Sequence, residues 1–319
     1  MSRIRNYAVA GITAALAFAA CKEPSTTGVV GGVRNPSGRA LDRSSSEQAA
    51  AQRVYGTPVT VGKGTVRTYI TFDKKEGGKP IEVGVAMSDR SMEGLPTPDP
   101  MPMAAGEKGH DHAAMVMNMY LLDLPKGNPT QYRFVQFDWN PLGHEPAGVY
   151  DLPHFDFHFY TVSKEVRASI LPTDPQFEAK AANYPAPQFR SPFYIDAATP
   201  AQTTPAGSTV PQMGLHWLDV RSPELQGMAG NPAGFKPFTK TFIYGSWDGQ
   251  FIFDEPMITR AYILEKKRAT DPAVIDEVIP VSTAQRYSPA GYYPSAYRIT
   301  WDAQAREYRI ALTQLSYHE

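Results

Sequence analysis

Residues 154–160 read His-Phe-Asp-Phe-His-Phe-Tyr, a strict alternation of hydrogen-bonding side chains with phenylalanines. A period of two belongs to an extended strand, in which successive side chains point to opposite faces. His154, Asp156, His158 and Tyr160 therefore share one face, and Phe155, Phe157 and Phe159 the other. A fold containing this strand must bury a ring of phenylalanines on one side. On the other side it must find partners for two imidazoles and a carboxylate.

The chain around this strand repeats the same period. Thr57–Val61, Gly64–Phe72, Ile81–Met87, Met115–Leu124 and Tyr132–Trp139 alternate in the same way between Gly- and Pro-rich breaks. Lys240–Thr259 reads as a hairpin turning at Trp247-Asp248-Gly249, and Ala296–Trp301 with Glu307–Leu315 reads as a closing hairpin. The 29 prolines, 25 glycines and 17 tyrosines disfavour long helices and suit pleated surfaces. The expected fold is mostly β, an antiparallel barrel or sandwich with long Pro/Gly-rich loops. A few short helices are expected, near Asp174–Ala182 and Ala273–Val278. With 42% hydrophobic residues, residues 55–319 can bury the core of a single β-rich domain.

Before that domain the composition changes twice. Arg3 and Arg5 precede an apolar, Ala-rich run that reads as a secretory signal over residues 1–20. The run is short for a membrane span and ends at Cys21, the sole cysteine, so the mature domain contains no internal disulfide. Leu16-Ala17-Phe18-Ala19-Ala20-Cys21 resembles a bacterial lipobox, which implies lipidation of Cys21 and a membrane partner through the N-terminal lipid. Lys22 in the next position implies the outer membrane in a Gram-negative cell envelope. Residues 21–54 then form a polar tether, with at most a helical turn or two at Gln48–Val54. The balance of 31 basic and 32 acidic residues argues against nucleic acid as a partner.

Three histidines in aromatic strand contexts, His154, His158 and His216, carry the functional expectation, and Glu255 at a strand end is the carboxylate added to them. Imidazole and carboxylate donors suit a divalent transition metal such as zinc, manganese, iron or copper, with a position left open for water or a small molecule. On a straight strand, however, residues i and i+4 lie about 13 Å apart, too far for His154 and His158 to chelate one ion alone. Asp156 is within reach of either, and His144 and Glu145 in the preceding loop are secondary candidates. His110 and His112, at the end of a long loop, are further candidates for metal contact or for plain solvation.

An alternative from a different class fits the same residues: a non-enzymatic ligand-binding or structural envelope lipoprotein whose histidines are internal hydrogen-bond partners. Its aromatic residues, Trp139, Trp217, Trp247 and Tyr244 among them, would line a pocket or fill a core. The chain lacks a Gly-x-Ser-x-Gly elbow, a phosphate loop, a dinucleotide fingerprint and a His-Glu-x-x-His helix. Enzyme or not, and for which ligand, is left open by the residues.

Asp138-Trp139-Asn140-Pro141, Gly143-His144-Glu145-Pro146, Gly148-Val149-Tyr150 and Pro153–Tyr160, followed by Met213-Gly214, His216-Trp217 and Glu255-Pro256-Met257-Ile258-Thr259, resemble a family of uncharacterised bacterial extracytoplasmic β-domain proteins. The resemblance runs from about Gly64 to the C-terminus. It implies a mostly β domain, assembly into a homo-oligomer and no established activity. A thinner likeness to cupin metal barrels rests on His-rich strands alone. Cupins space their first two histidines two apart rather than four, so their ligand roles do not transfer.

Overall fold

The computed structural model describes residues 51–74, 78–97, 117–146 and 148–319, all within one compact unit, Ser44–Glu319. The signal segment, Cys21, the tether up to residue 50, and His110 and His112 lie outside the described residues. No helix among the described residues is long and apolar enough to cross a membrane.

Strands follow in chain order. The first four are β1 (Ala51–Tyr55), β2 (Val59–Val61), β3 (Gly64–Asp73) and β4 (Lys79–Ser88). Next come β5 (Asn118–Asp123), β6 (Phe134–Asn140), β7 (His154–Tyr160), β8 (Tyr194–Asp196), β9 (Thr209–Val210), β10 (Gly214–Asp219), β11 (Lys240–Trp247) and β12 (Gln250–Thr259). The last are β13 (Asp276–Pro280), β14 (Gly291–Tyr293), β15 (Ala296–Asp302), β16 (Glu307–Thr313) and β17 (Ser316–His318). Five short helices join them: α1 (Lys164–Ala168), α2 (Phe177–Ala182), α3 (Ala198–Ala201), α4 (Arg260–Arg268) and α5 (Pro272–Ile275).

Among the described residues the strands form two large open antiparallel sheets and a small two-stranded one, β14-β17. One large sheet runs β1-β3-β4-β16-β15-β13 with β2 on β3; the other runs β5-β6-β7-β12-β11-β10-β8 with β9 on β10. Neither closes on itself, so the sandwich alternative describes the fold and the barrel does not. Val66, Ile70, Val83, Val85 and Ile310 of the first sheet form one core with Val135, Phe137, Phe155, Phe157 and Phe159 of the second. The alternation of residues 154–160 is thus used as the sequence requires, with the phenylalanines between the sheets.

The opposite face of the second sheet is covered by the loops and short helices between β7 and β11. Ile170, Phe177 and Met213 pack there on Phe134, Tyr160 and Phe253 at one end. Leu218, Leu225 and Phe238 pack on Tyr150, Ile243 and Met257 at the other. Between these two apolar clusters lies the polar side of β7, every residue of which is buried.

One local reading changes. Ala51–Val54, grouped with the tether by composition, belong to β1 and pair with β3; an edge strand needs backbone hydrogen bonds more than apolar side chains. The hairpin's second strand, β12, runs directly into the helix α4, started by the Thr259 hydroxyl accepting the Tyr262 N–H. The β11–β12 turn falls at Asp248-Gly249, both with positive φ (46° and 80°), as a two-residue hairpin of this kind requires.

Candidate metal centre

The register of the second sheet builds the site. β6 pairs with β7 so that Gln136 is opposite His158, Asp138 opposite Asp156 and Asn140 opposite His154. Each pair shares a face, so a polar ladder runs along two buried strands while Val135, Phe137 and Trp139 join the core behind it. On the other side of β7, the register pairing Asp254 with Phe159 and Met257 with Asp156 brings Glu255 beside His158. His216 comes from β10, two strands beyond β12, opposite Gly245 of β11.

Gly245 is required there. A Cβ on it would lie 2.0 Å from the Phe253 ring. That ring in turn packs against His158 and His216, with centroids at 4.8 and 5.4 Å. The missing side chain leaves Phe253 room to lie flat and support both imidazoles.

The histidines and carboxylates divide into two groups. His158, His216 and Glu255 form one, and His144, His154 and Asp156 the other; within each, the donor atoms all lie within 4.8 Å of one another. His154, grouped by sequence with His158, His216 and Glu255, stands instead with the secondary candidates His144 and Asp156. The distance between i and i+4 on one strand accounts for the division. The Glu145 side chain is exposed, and its main-chain carbonyl lies 2.7 Å from His144 Nδ1.

In the first group His158 Nε2 is 3.3 Å from Glu255 Oε1, and His216 Nε2 is 3.6 Å from Glu255 Oε2. In the second, His154 Nε2 is 3.2 Å from Asp156 Oδ1 and His144 Nε2 is 3.6 Å from Asp156 Oδ2. These contacts double as internal ion pairs when an imidazole is protonated. Yet His158 Nε2, His154 Nε2, Asp156 Oδ1 and Glu255 Oε2 are buried with no aligned hydrogen bond among the described residues. The separations also match the edges of a four-coordinate site, since donors about 2.1 Å from an ion stand roughly 3.4 Å apart.

Outer contacts fix the rings. A carbonyl only accepts, so His154 Nδ1, 2.7 Å from the Leu152 carbonyl, carries a hydrogen, and this contact turns Nε2 to Asp156. The Glu145 carbonyl does the same for His144. Behind His158, Asp138 lies 3.3 Å from Nδ1 and accepts from Gln136 Nε2 at 2.7 Å; Gln136 in turn accepts from the buried Arg167 of α1. Asn140 donates to Asp156 at 2.7 Å.

The electrostatics of the two groups differ. Burial depresses His158 to about 3, so its imidazole is neutral near pH 7. Burial, reinforced by the charges of Asp156 and Asp138, raises Glu255 well above the carboxylate range; burial and Asp156 do the same to Asp138. Burial opposes the charge on Asp156, but His154 and His144 hold it well below that range. Burial likewise works against charge on His144, which is raised by Asp156. One histidine of each group, His216 and His144, keeps 15% and 13% of its side chain exposed, which gives each site a path to solvent.

Gln136, Asp138, Asn140 and Arg167 were missed as site residues. The alternation of Phe134–Asn140 marks the first three as one face of a strand, but only the β6–β7 register reveals what they face. Of the aromatic platforms considered, Trp139 donates to the Pro96 carbonyl and Trp217 to Ser246, so both are structural. Trp247 packs against Phe177. Compared with protein-family models, curated proteins and solved structures, the chain matches none.

Proposed function

We propose that this chain is a cell-envelope lipoprotein, held by a lipidated Cys21, that binds a divalent transition metal through His158, His216 and Glu255. The observation that carries the reading is the convergence of these three donor groups at separations suited to an ion, with His158 Nε2 and Glu255 Oε2 buried and without an aligned hydrogen-bond partner among the described residues. A neutral imidazole is the form that coordinates, and burial keeps His158 in it. Asp138, 3.3 Å from Nδ1, stands where the outer carboxyl group behind a ligating histidine stands. His144, His154 and Asp156 offer a second set of the same kind. Three protein donors leave a coordination position open at the first set, and the reading extends to ion binding, with no reaction assigned. The envelope address rests on the lipobox-like segment ending at Cys21, and membership of the extracytoplasmic family on the motifs that surround these histidines.

Elemental analysis of protein purified without a histidine tag tests the reading. About one equivalent or more of a transition metal is expected, with His158→Ala lowering the content and His110→Ala leaving it. Less than about a tenth of an equivalent, with melting unchanged by added zinc, manganese or copper, would favour internal hydrogen bonding instead, because a ligand bound only by the native state must stabilise it.

A further inference from the structure

Asp254 precedes the ligand Glu255 and points the other way, to the face that meets the first sheet. Its neighbours in register, Tyr244 on β11 and Phe159 on β7, share that face. The residue is 6% exposed, and among the described residues its side chain takes one hydrogen bond, from the Tyr132 hydroxyl to Oδ2. No Lys, Arg or His pairs with it among the described residues. A buried carboxylate without a cation is costly, and its position therefore calls for an explanation.

The carboxylate borders a cleft that Tyr244, Phe251, Tyr287 and Tyr293 also line. The rings form two walls. Tyr244 and Phe251 have centroids 5.4 Å apart, and Tyr287 stacks on Tyr293 at 4.3 Å. The hydroxyls of Tyr244 and Tyr293 donate to the carbonyls of Ser282 and Pro289, which fixes the rings. The negative charge of Asp254 contributes, after burial, to raising the hydroxyls of Tyr287 and Tyr293, so both stand within its field.

Ring faces around an acidic group are the chemistry that recognises an organic cation: the faces attract positive charge by their quadrupoles and the carboxylate supplies the ion pair. We propose that this cleft binds a small organic ammonium ion, with its ammonium on Asp254 and its apolar body between the Tyr244–Phe251 and Tyr287–Tyr293 walls. The site is separate from the histidine groups, and the proposal does not rest on metal binding. Arg286, exposed at the cleft, is the one cation in its lining among the described residues and disfavours a ligand that is positive at both ends.

Isothermal titration of the full chain at about pH 8, with phenethylammonium and its uncharged counterpart 2-phenylethanol, tests this. The ammonium should bind saturably and at least about tenfold more tightly than the alcohol, a difference of about 1.4 kcal/mol. Asp254→Asn, shown folded by circular dichroism, should abolish that preference, and Tyr287→Ala should weaken both compounds. Arg286→Glu, a surface change that leaves the fold intact, should tighten the ammonium severalfold without affecting the alcohol. Equal binding of the two compounds, a preference that survives Asp254→Asn, an Arg286→Glu variant that binds the ammonium no better, or no heat from either compound would overturn the proposal.

Discussion

His158 Nε2 lies 3.3 Å from Glu255 Oε1, yet the pair is not aligned as a hydrogen bond and Nε2 has no other partner among the described residues. Two groups that close, buried and misaligned are better satisfied by a third party between them than by each other. Adding His216, 3.6 Å from the other oxygen of Glu255, outlines the position that party would take.

Glu255→Gln separates a ligand from a mere hydrogen-bond partner. Burial already pushes the Glu255 carboxyl well above the usual carboxylate range in the metal-free chain. The amide should therefore change metal-free stability by less than about 1 kcal/mol in urea unfolding. Zinc affinity should fall at least about a hundredfold, and the stabilisation by zinc should vanish. A variant that zinc still stabilises as strongly as the parent would contradict the assignment.

The same upward shift fixes the sign of a pH effect. Glu255 must shed its proton to bind an ion, whereas His158, depressed to about 3, has none to lose near neutrality. Zinc affinity should therefore rise with pH through the neutral range, by up to about tenfold per unit while one proton is released. Titrations in two buffers of different ionisation enthalpy would count that proton. An affinity that falls as pH rises from 6 to 8, as about two units of experimental range, would reverse the argument.

Gly245→Ala tests the packing that supports the ligands. The added methyl meets the Phe253 ring at 2.0 Å and must displace it from His158 and His216. A loss of about 1–3 kcal/mol is expected from thermal or urea unfolding, with weaker zinc binding. Unchanged stability would show that the Phe253 ring is free to move aside.

Cys21→Ser bears on the envelope address. The variant should leave the membrane fraction for the soluble fraction, because one or two acyl chains supply most of the membrane affinity of a protein of this kind. Continued membrane association would reject the lipid as the anchor.

Much of the fold was legible because residues 154–160, 64–72 and 240–259 each carry a period of two, and a strand that buries one face displays it directly. The site was legible only in its residue types. That His154 and His158 are too far apart to chelate alone followed from strand geometry, but the donor group that each joins did not. His144 reaches Asp156 from a loop whose path no period records, and Glu255 meets His158 only through the register of β7 with β12. Asp138 and Gln136 show the same limit: their shared face was written in the alternation of β6, and its target was not. β1 escaped notice because an edge strand is held by its backbone and carries no apolar pattern of its own.

The most direct measurement is anomalous diffraction at the zinc edge from crystals of the untagged chain grown with zinc. The account predicts a peak about 2.0–2.2 Å from His158 Nε2, His216 Nε2 and a Glu255 oxygen. A well-ordered structure with no peak among these three residues, and Glu255 hydrogen-bonded to His158 in its place, would contradict it.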